Sequence, residues 1–208
     1  MLAPALHATP MENLNHLMFT WLNAPESPQG YALFAAVFLA EWLIWAVPIY
    51  LGVGWLVGDR RLRVSTLIAS MSGLIGLVIA QALGSAWPHP RPFMMGMGHQ
   101  LVAHVADASF PSDHLTLWWA VAFGTMTQRC TRSTGLAMAL TGVAMAWARI
   151  YVGVHFPFDM LGALAVAGVS ACLSWGLAPL YLSATYGLTQ RIRLYLFSAL
   201  IRRGWVRA

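Results

Sequence analysis

Five long apolar segments, at 31–57, 64–87, 114–127, 135–151 and 158–182, constrain this 208-residue chain more than any other feature. Charged residues make up only 9% of it, apolar residues 59%, and the mean hydropathy is +0.64. Soluble domains carry roughly 25% charged residues, so a chain this poor in charge belongs in a bilayer. A spanning helix needs about 20 apolar residues. Four segments meet that, and 114–127 is short unless its helix begins inside the membrane plane. The expected fold is all-α: a polytopic membrane helical bundle of five spans. No internal repeat, low-complexity run or linker divides the chain, so residues 1–208 read as a single integral-membrane domain.

The basic residues orient the bundle, because they collect in cytoplasmic loops. There are twelve Arg and no Lys. Ten of the arginines fall in three places: Arg60, Arg61 and Arg63; Arg129 and Arg132; and Arg191, Arg193, Arg202, Arg203 and Arg207. Five spans put all three clusters on one side, which is therefore cytoplasmic. The other side receives 1–30, 88–113 and 152–157, and all seven histidines lie there or at its edge. The two remaining arginines, Arg91 and Arg149, break the rule, and each lies close to a histidine, His89 and His155. An anionic ligand on the outer side gives them a reason to exist.

The first thirty residues contain no basic residue, which argues against a secretory signal peptide. Thr9-Pro10-Met11-Glu12 reads as a helix start, with Thr9 as N-cap, Pro10 at the first position and Glu12 closing a capping box. Leu14, Leu17, Met18, Trp21 and Leu22 follow at helical spacing before Pro25. About 14 residues cannot span, so this is an N-terminal amphipathic helix in the outer interface. The alternative is a sixth span with a cytoplasmic N-terminus. Gly142 and Ala146, like Ala163 and Ala167, are spaced for close helix packing. Cys130 and Cys172 fall on different elements and indicate neither a disulfide nor a metal site. The basic tail 191–207 fits either a cytoplasmic anchor on anionic lipid or simple topology enforcement.

Three short outer stretches hold the concentrated polar groups. Pro88-His89-Pro90-Arg91-Pro92 stops the second span and stiffens its exit, holding Arg91 at the surface. Ser109-Phe110-Pro111-Ser112-Asp113-His114 opens the third span, with Ser112 as a natural N-cap. The free amides of that first turn form an anion site within reach of His114. In the third stretch Arg149 ends the fourth span and His155 precedes Pro157. Asp159 lies four residues beyond His155, so both can share a helix face. A carboxylate on one imidazole nitrogen leaves the other free as nucleophile or base. Two arginines, a helix N-terminus, a His–Asp pair and a second His form the parts for phosphoryl transfer without a metal. An intramembrane carboxylate is costly, so Glu41, in the middle of the first span, is either a packing residue or a partner for an arginine or polar group of the site.

These stretches resemble the three-part signature of the PAP2 family of acid phosphatases, whose integral-membrane branch acts on lipid phosphates. The family pattern is Lys-x6-Arg-Pro, Pro-Ser-Gly-His and Ser-Arg-x5-His-x3-Asp. Arg91-Pro92, Pro111-Ser112-x-His114 and Arg149-x5-His155-x3-Asp159 match it, within 84–159. Three positions depart: Gly84 stands where the lysine would be, Ala148 precedes Arg149, and Asp113 replaces the glycine. The wider string 106–114, Ala-Asp-Ala-Ser-Phe-Pro-Ser-Asp-His, is similar to the undecaprenyl-diphosphatase branch associated with bacitracin resistance.

The resemblance implies that His155 attacks the terminal phosphorus, Asp159 orients it, and His114 protonates the leaving phosphate. Arg91, Ser112 and Arg149 would hold the phosphoryl oxygens. Asp113, His89 and Glu41 are candidates for substrate tuning, with His89 a partial stand-in for the missing lysine. The implied substrate is undecaprenyl diphosphate at the outer face of a bacterial inner membrane, and the product is the recycled carrier of cell-wall precursors. No cofactor, metal, nucleic acid or obligate protein partner is expected beyond the lipid substrate and the surrounding membrane. The rival functions are a phosphatase for phosphatidylglycerol phosphate or phosphatidate, a lipid phosphotransferase, and a transporter or lipid-binding protein.

Overall fold

The computed structural model describes residues 9–205, which form helices and connecting loops with no strand among them. Helix α1 is Pro10–Leu22, started by the Thr9 hydroxyl, which accepts the Glu12 amide at 3.2 Å. Only this half of the expected capping box forms, because the Glu12 carboxylate is turned to His89 instead. Helix α2, Tyr31–Val37, runs into a π-turn at Phe38–Trp42 and a 3-10 turn at Leu43–Trp45 before α3, Ala46–Val57. Helix α4 is Arg60–Ala86, capped by Asp59, whose carboxylate accepts the Leu62 amide at 2.9 Å. Then come α5, Asp113–Met126; α6, Arg132–Tyr151; α7, Pro157–Leu196; and the short α8, Ser198–Arg202. Three helical stretches are long and apolar enough to cross a membrane: Tyr31–Val57, Arg60–Ala86 and Pro157–Leu196.

Helix α5 is the axis of the bundle, packed by α4, α6 and α7. Its 14 residues rise only about 21 Å, less than the roughly 30 Å of a hydrocarbon core. It starts and ends inside the protein, and Leu115, Trp118, Trp119, Ala120, Val121 and Ala122 are all buried. Glycines let the neighbours close on it. A Cβ at Gly73 would press on Leu117 and Val121, and one at Gly142 on the Trp119 indole. The Trp118 and Trp119 ring N–H groups donate to the Met138 and Ala139 carbonyls of α6, at 2.6 and 3.1 Å. Ala163 and Ala167 of α7 are fully buried in the same core, as their spacing predicts.

Alternating helix direction sends the arginine clusters to one end and Arg91, Arg149 and His155 to the other. The arginine end is knit together by Ser65 and Thr131, whose hydroxyls are 2.7 Å apart, and by Arg63, whose Nε donates to the Trp55 carbonyl at 3.2 Å. One expectation changes here. The helix expected to end at 182 continues to Leu196. Its polar residues do not break it, because Thr185 and Thr189 return their hydroxyls to the Tyr181 and Thr185 carbonyls one turn back. Arg193, within the basic tail, is buried, with its Nε donating to Gln190 at 3.2 Å, so this residue is not one that a lipid anchor could use.

Helix α1 lies across the opposite end. Its protein-facing side carries Asn15 and Phe19, both buried. Asn15 Oδ1 accepts the Phe158 amide at 3.0 Å, and Phe19 packs edge-on against Phe156. Met11, Leu14, Leu17 and Trp21 face outward. The loop after α1 is pinned by Asn23, whose amide donates to the Tyr151 carbonyl at 3.0 Å and whose Oδ1 accepts the His99 amide at 2.7 Å. Gly153, at φ +82°, lets the turn after α6 pass against the His99 carbonyl, where any side chain would collide. These ties set the α6–α7 turn, and with it His155, against the long loop between α4 and α5.

Candidate active site

His155 sits in the turn before α7, 1% exposed. Its Nδ1 is 3.1 Å from Asp159 Oδ2, one helical turn on. The same carboxylate oxygen accepts the Phe156 amide at 2.8 Å and the Ser109 hydroxyl. Three donors on one oxygen hold the aspartate rigidly at the helix start. The Nε2 of His155 lies 3.0 Å from Arg91 Nη1. Arginine can only donate, so Nε2 accepts and carries the lone pair, and the proton is on Nδ1, facing Asp159. That arrangement leaves Nε2 as the accepting nitrogen of the ring. Burial first, then the Arg149 and Arg91 guanidinium groups, then His104 and His114, push the His155 pKa well below the usual imidazole value.

Arg91 is nearly buried and placed by four contacts. Its Nε meets Asp107 Oδ1 at 2.8 Å, Nη1 also donates to the Val154 carbonyl at 3.0 Å, and Nη2 to the Ala108 carbonyl at 3.3 Å. Arg149 is completely buried at the end of α6. Its Nη1 donates to the Ala40 carbonyl and to Glu41 Oε1, both at 3.1 Å, and its Nη2 to His104 Nε2, also at 3.1 Å. Its Nε is buried without a partner, and so is the Ser112 hydroxyl. Ser112 occupies the N-cap position of α5, but its side chain makes no capping bond, contrary to the sequence expectation. Both groups can donate, and a phosphoryl oxygen is the kind of acceptor that would satisfy them.

The three tuning candidates have separate places. Glu41 pairs with Arg149. Asp113 accepts from the Gln81 amide at 2.8 Å and makes no bond to Arg91, which Asp107 holds instead. His89 has both ring nitrogens engaged, Nε2 with Glu12 at 3.0 Å and Nδ1 with the Pro90 carbonyl at 3.1 Å. Gly84, at the lysine position of the signature, lines a polar cavity of about 290 Å³ with Gln81, Asp107 and Asp113. Two departures from the pattern thus face the same space.

Asp107, Ser109 and His104 had no role in the sequence reading. His104 lies 6.2 Å from the His155 ring, centroid to centroid, and accepts from Arg149. Its pKa is lowered to about 4 by burial and by the two arginines, so it is neutral at ordinary pH. The restriction of every histidine to one side was the signal that could have singled it out. Among the described residues, no three of His, Cys, Asp and Glu are grouped to hold a metal ion.

The family model described as the PAP2 superfamily matches residues 64–181, which include all of Arg91, His114, Arg149, His155 and Asp159. The chain belongs to the PAP2 superfamily. Within it, the chain is 36% identical over 200 residues to YbjG of Escherichia coli (strain K12), named there as a candidate undecaprenyl-diphosphatase, with 95% of this chain and 99% of that one covered. It is 38% identical over 131 residues to the undecaprenyl-diphosphatase BcrC of Bacillus subtilis (strain 168), covering 63% of this chain and 67% of that one. Two crystal structures share the fold. LpxE of Aquifex aeolicus aligns with TM-score 0.61 at 18% identity, covering 78% of this chain and 95% of that one. A PAP2-type phosphatidylglycerolphosphate phosphatase of Bacillus subtilis aligns with TM-score 0.57 at 16% identity, covering 85% and 90%. This PAP2 protein keeps the second and third parts of the signature nearly whole and the first without its lysine.

Proposed function

We propose that this PAP2 protein is an undecaprenyl-diphosphatase that releases phosphate from undecaprenyl diphosphate through a phosphohistidine on His155. The observation that carries the chemistry is the setting of His155, with Nδ1 and its proton against Asp159 and the Nε2 lone pair facing Arg91. The lipid diphosphate is favoured by the function for which the relatives are named, above all YbjG, whose match runs nearly end to end.

Arg91 Nη1 caps the lone pair of His155. A terminal phosphoryl group entering between them gives Arg91 an oxygen acceptor and His155 a phosphorus. Arg149 Nε and the Ser112 hydroxyl fill the remaining oxygens. Nε2 attacks, the bond from phosphorus to the bridging oxygen breaks, and His114, as the imidazolium that the anionic substrate favours, donates its proton to the departing lipid monophosphate and becomes neutral. Asp159 balances the positive charge on the phosphorylated ring. His114 then takes a proton from water, whose oxygen attacks the phosphorus and breaks the P–N bond. Inorganic phosphate leaves and His155 is restored. The test is phosphate release by the purified chain from a panel of undecaprenyl diphosphate, phosphatidylglycerol phosphate and phosphatidate. A preference for either glycerolipid would overturn the substrate assignment.

Two properties of this mechanism are open to measurement. Protonation of His155 removes the nucleophile, and its pKa is depressed, so the acid limb of kcat/KM, which reports the free enzyme, is expected below pH 6.5. An acid limb above that value would contradict a neutral nucleophile. Charge on the phosphate is met by guanidinium groups and helix amides, so activity is expected to survive EDTA. Loss on chelation and recovery with a divalent ion would count against the scheme.

The bundle is read as five crossings, with α1 lying in the outer interface and the site facing the outside of a bacterial inner membrane. The support is the segregation of arginine clusters from the site end and the outward apolar face of α1. Single cysteines in place of His99 and Arg61 are expected to be labelled from opposite sides. Labelling of both from one side sinks this topology.

A further inference from the structure

The first long apolar helix is irregular at its one charged residue. Phe38–Trp42 forms a π-turn around Glu41, followed by a 3-10 turn at Leu43–Trp45. Pro48 accounts for the 3-10 turn, since it withdraws a donor from Ile44 and crowds that carbonyl. The π-turn has no Gly or Pro to explain it, and residues 31–45 are otherwise ordinary apolar side chains. Such turns occur where a side chain enters the helical ladder, often at functional sites. The entering side chain here is Arg149. Its Nη1 uses both hydrogens inside the turn, on the Ala40 carbonyl and on Glu41 Oε1.

What remains of the guanidinium is the side-on fork of Nε and Nη2, the pair of donors that grips an anion in two-point fashion. Nε has no partner, and Nη2 rests on neutral His104. Glu41 also supplies the one carboxylate in salt-bridge contact with Arg149 among the described residues. Without it, a wholly buried cation would have no carboxylate beside it. We propose that Glu41, with the π-turn that carries it, is a positioning residue: it clamps one side of Arg149 so that the Nε–Nη2 fork is presented to the phosphoryl group. The inference rests on Arg149 being a phosphate ligand of the proposed reaction, and it makes the first membrane helix, outside the family signature, a part of the active site.

The test uses the full chain in detergent, with kcat, KM and the inhibition constant for inorganic phosphate measured for Glu41→Gln, Glu41→Asp and Glu41→Ala. Glu41→Gln keeps an acceptor and the side-chain shape, so it remains informative if Glu41→Ala does not fold. Loss of a charge-assisted hydrogen bond is expected to lower kcat/KM roughly ten-fold in Glu41→Gln, with phosphate inhibition no tighter than in the parent. Glu41→Asp is expected to recover part of the loss. In an Arg149→Ala background the further effect of Glu41→Gln is expected to shrink to less than about two-fold, because the effect passes through Arg149. Three results overturn the inference: no loss in Glu41→Gln, a full loss in the Arg149→Ala background, or tighter phosphate inhibition with unchanged kcat, which would make Glu41 a mere charge neutraliser. A parent protein that releases no phosphate from any lipid phosphate overturns the proposed function itself. An active parent with inert Glu41 variants overturns this inference alone.

Discussion

His155→Ala is expected to abolish turnover, with a loss of roughly 10⁴-fold or more, as for removal of other covalent nucleophiles. No neighbour can take over. His104 approaches within 6.2 Å of the ring, but its Nε2 is engaged with Arg149. His114 is needed for the proton. The substitution also leaves the Nδ1-facing carboxylate oxygen with two of its three donors, Phe156 and Ser109, so the helix start stays capped. A folded but inactive protein is therefore the expected product. Phosphate release and a thermal melt on the same preparation check both halves of the statement. Activity near that of the parent would remove His155 from the mechanism.

Asp159→Asn is expected to lower kcat by about 10²–10⁴-fold, the range in which loss of an orienting carboxylate falls for His-based catalysis. An amide oxygen can still accept from Phe156, Ser109 and His155, so the geometry is largely preserved. What disappears is the negative charge opposite the imidazole when it carries the phosphoryl group. Ser109→Ala keeps that charge and removes one donor, so its loss is expected to be far smaller, about ten-fold. The ratio of the two variants measures charge against orientation. Equal losses would mean that Asp159 acts only as a scaffold for the turn.

The parts of the site that the chain announces locally are those held on one turn or one helix start. His155 and Asp159 are four residues apart and meet across a single helical turn, so their pairing was legible from spacing alone. Membrane residence and the separation of the arginine clusters from the histidines were equally plain, because the cost of charge in lipid acts on every residue of a span. The end of α7 was not legible. A hydropathy drop marks where apolar residues stop, whereas the helix persists as long as its backbone bonds are satisfied, and Thr185 and Thr189 satisfy their own hydroxyls within it.

Tertiary structure decided the rest. Asp107 on Arg91, Ser109 on Asp159, and His104 and Glu41 on Arg149 are contacts between residues 16 to 108 positions apart. No periodicity connects them. The sequence alone could place Glu41 in a span and leave it as packing residue or partner, and it could give Asp113 to Arg91 as readily as Asp107. Only the packing of α2 and its π-turn against the end of α6 brings a carboxylate and a freed guanidinium edge to the same buried point. The sequence by itself determined the membrane bundle and the chemical groups of the signature, because hydropathy and helical spacing are local. The loop between α4 and α5 and the π-turn determined which polar groups hold those residues, because a buried charge is matched by whatever the fold sets beside it.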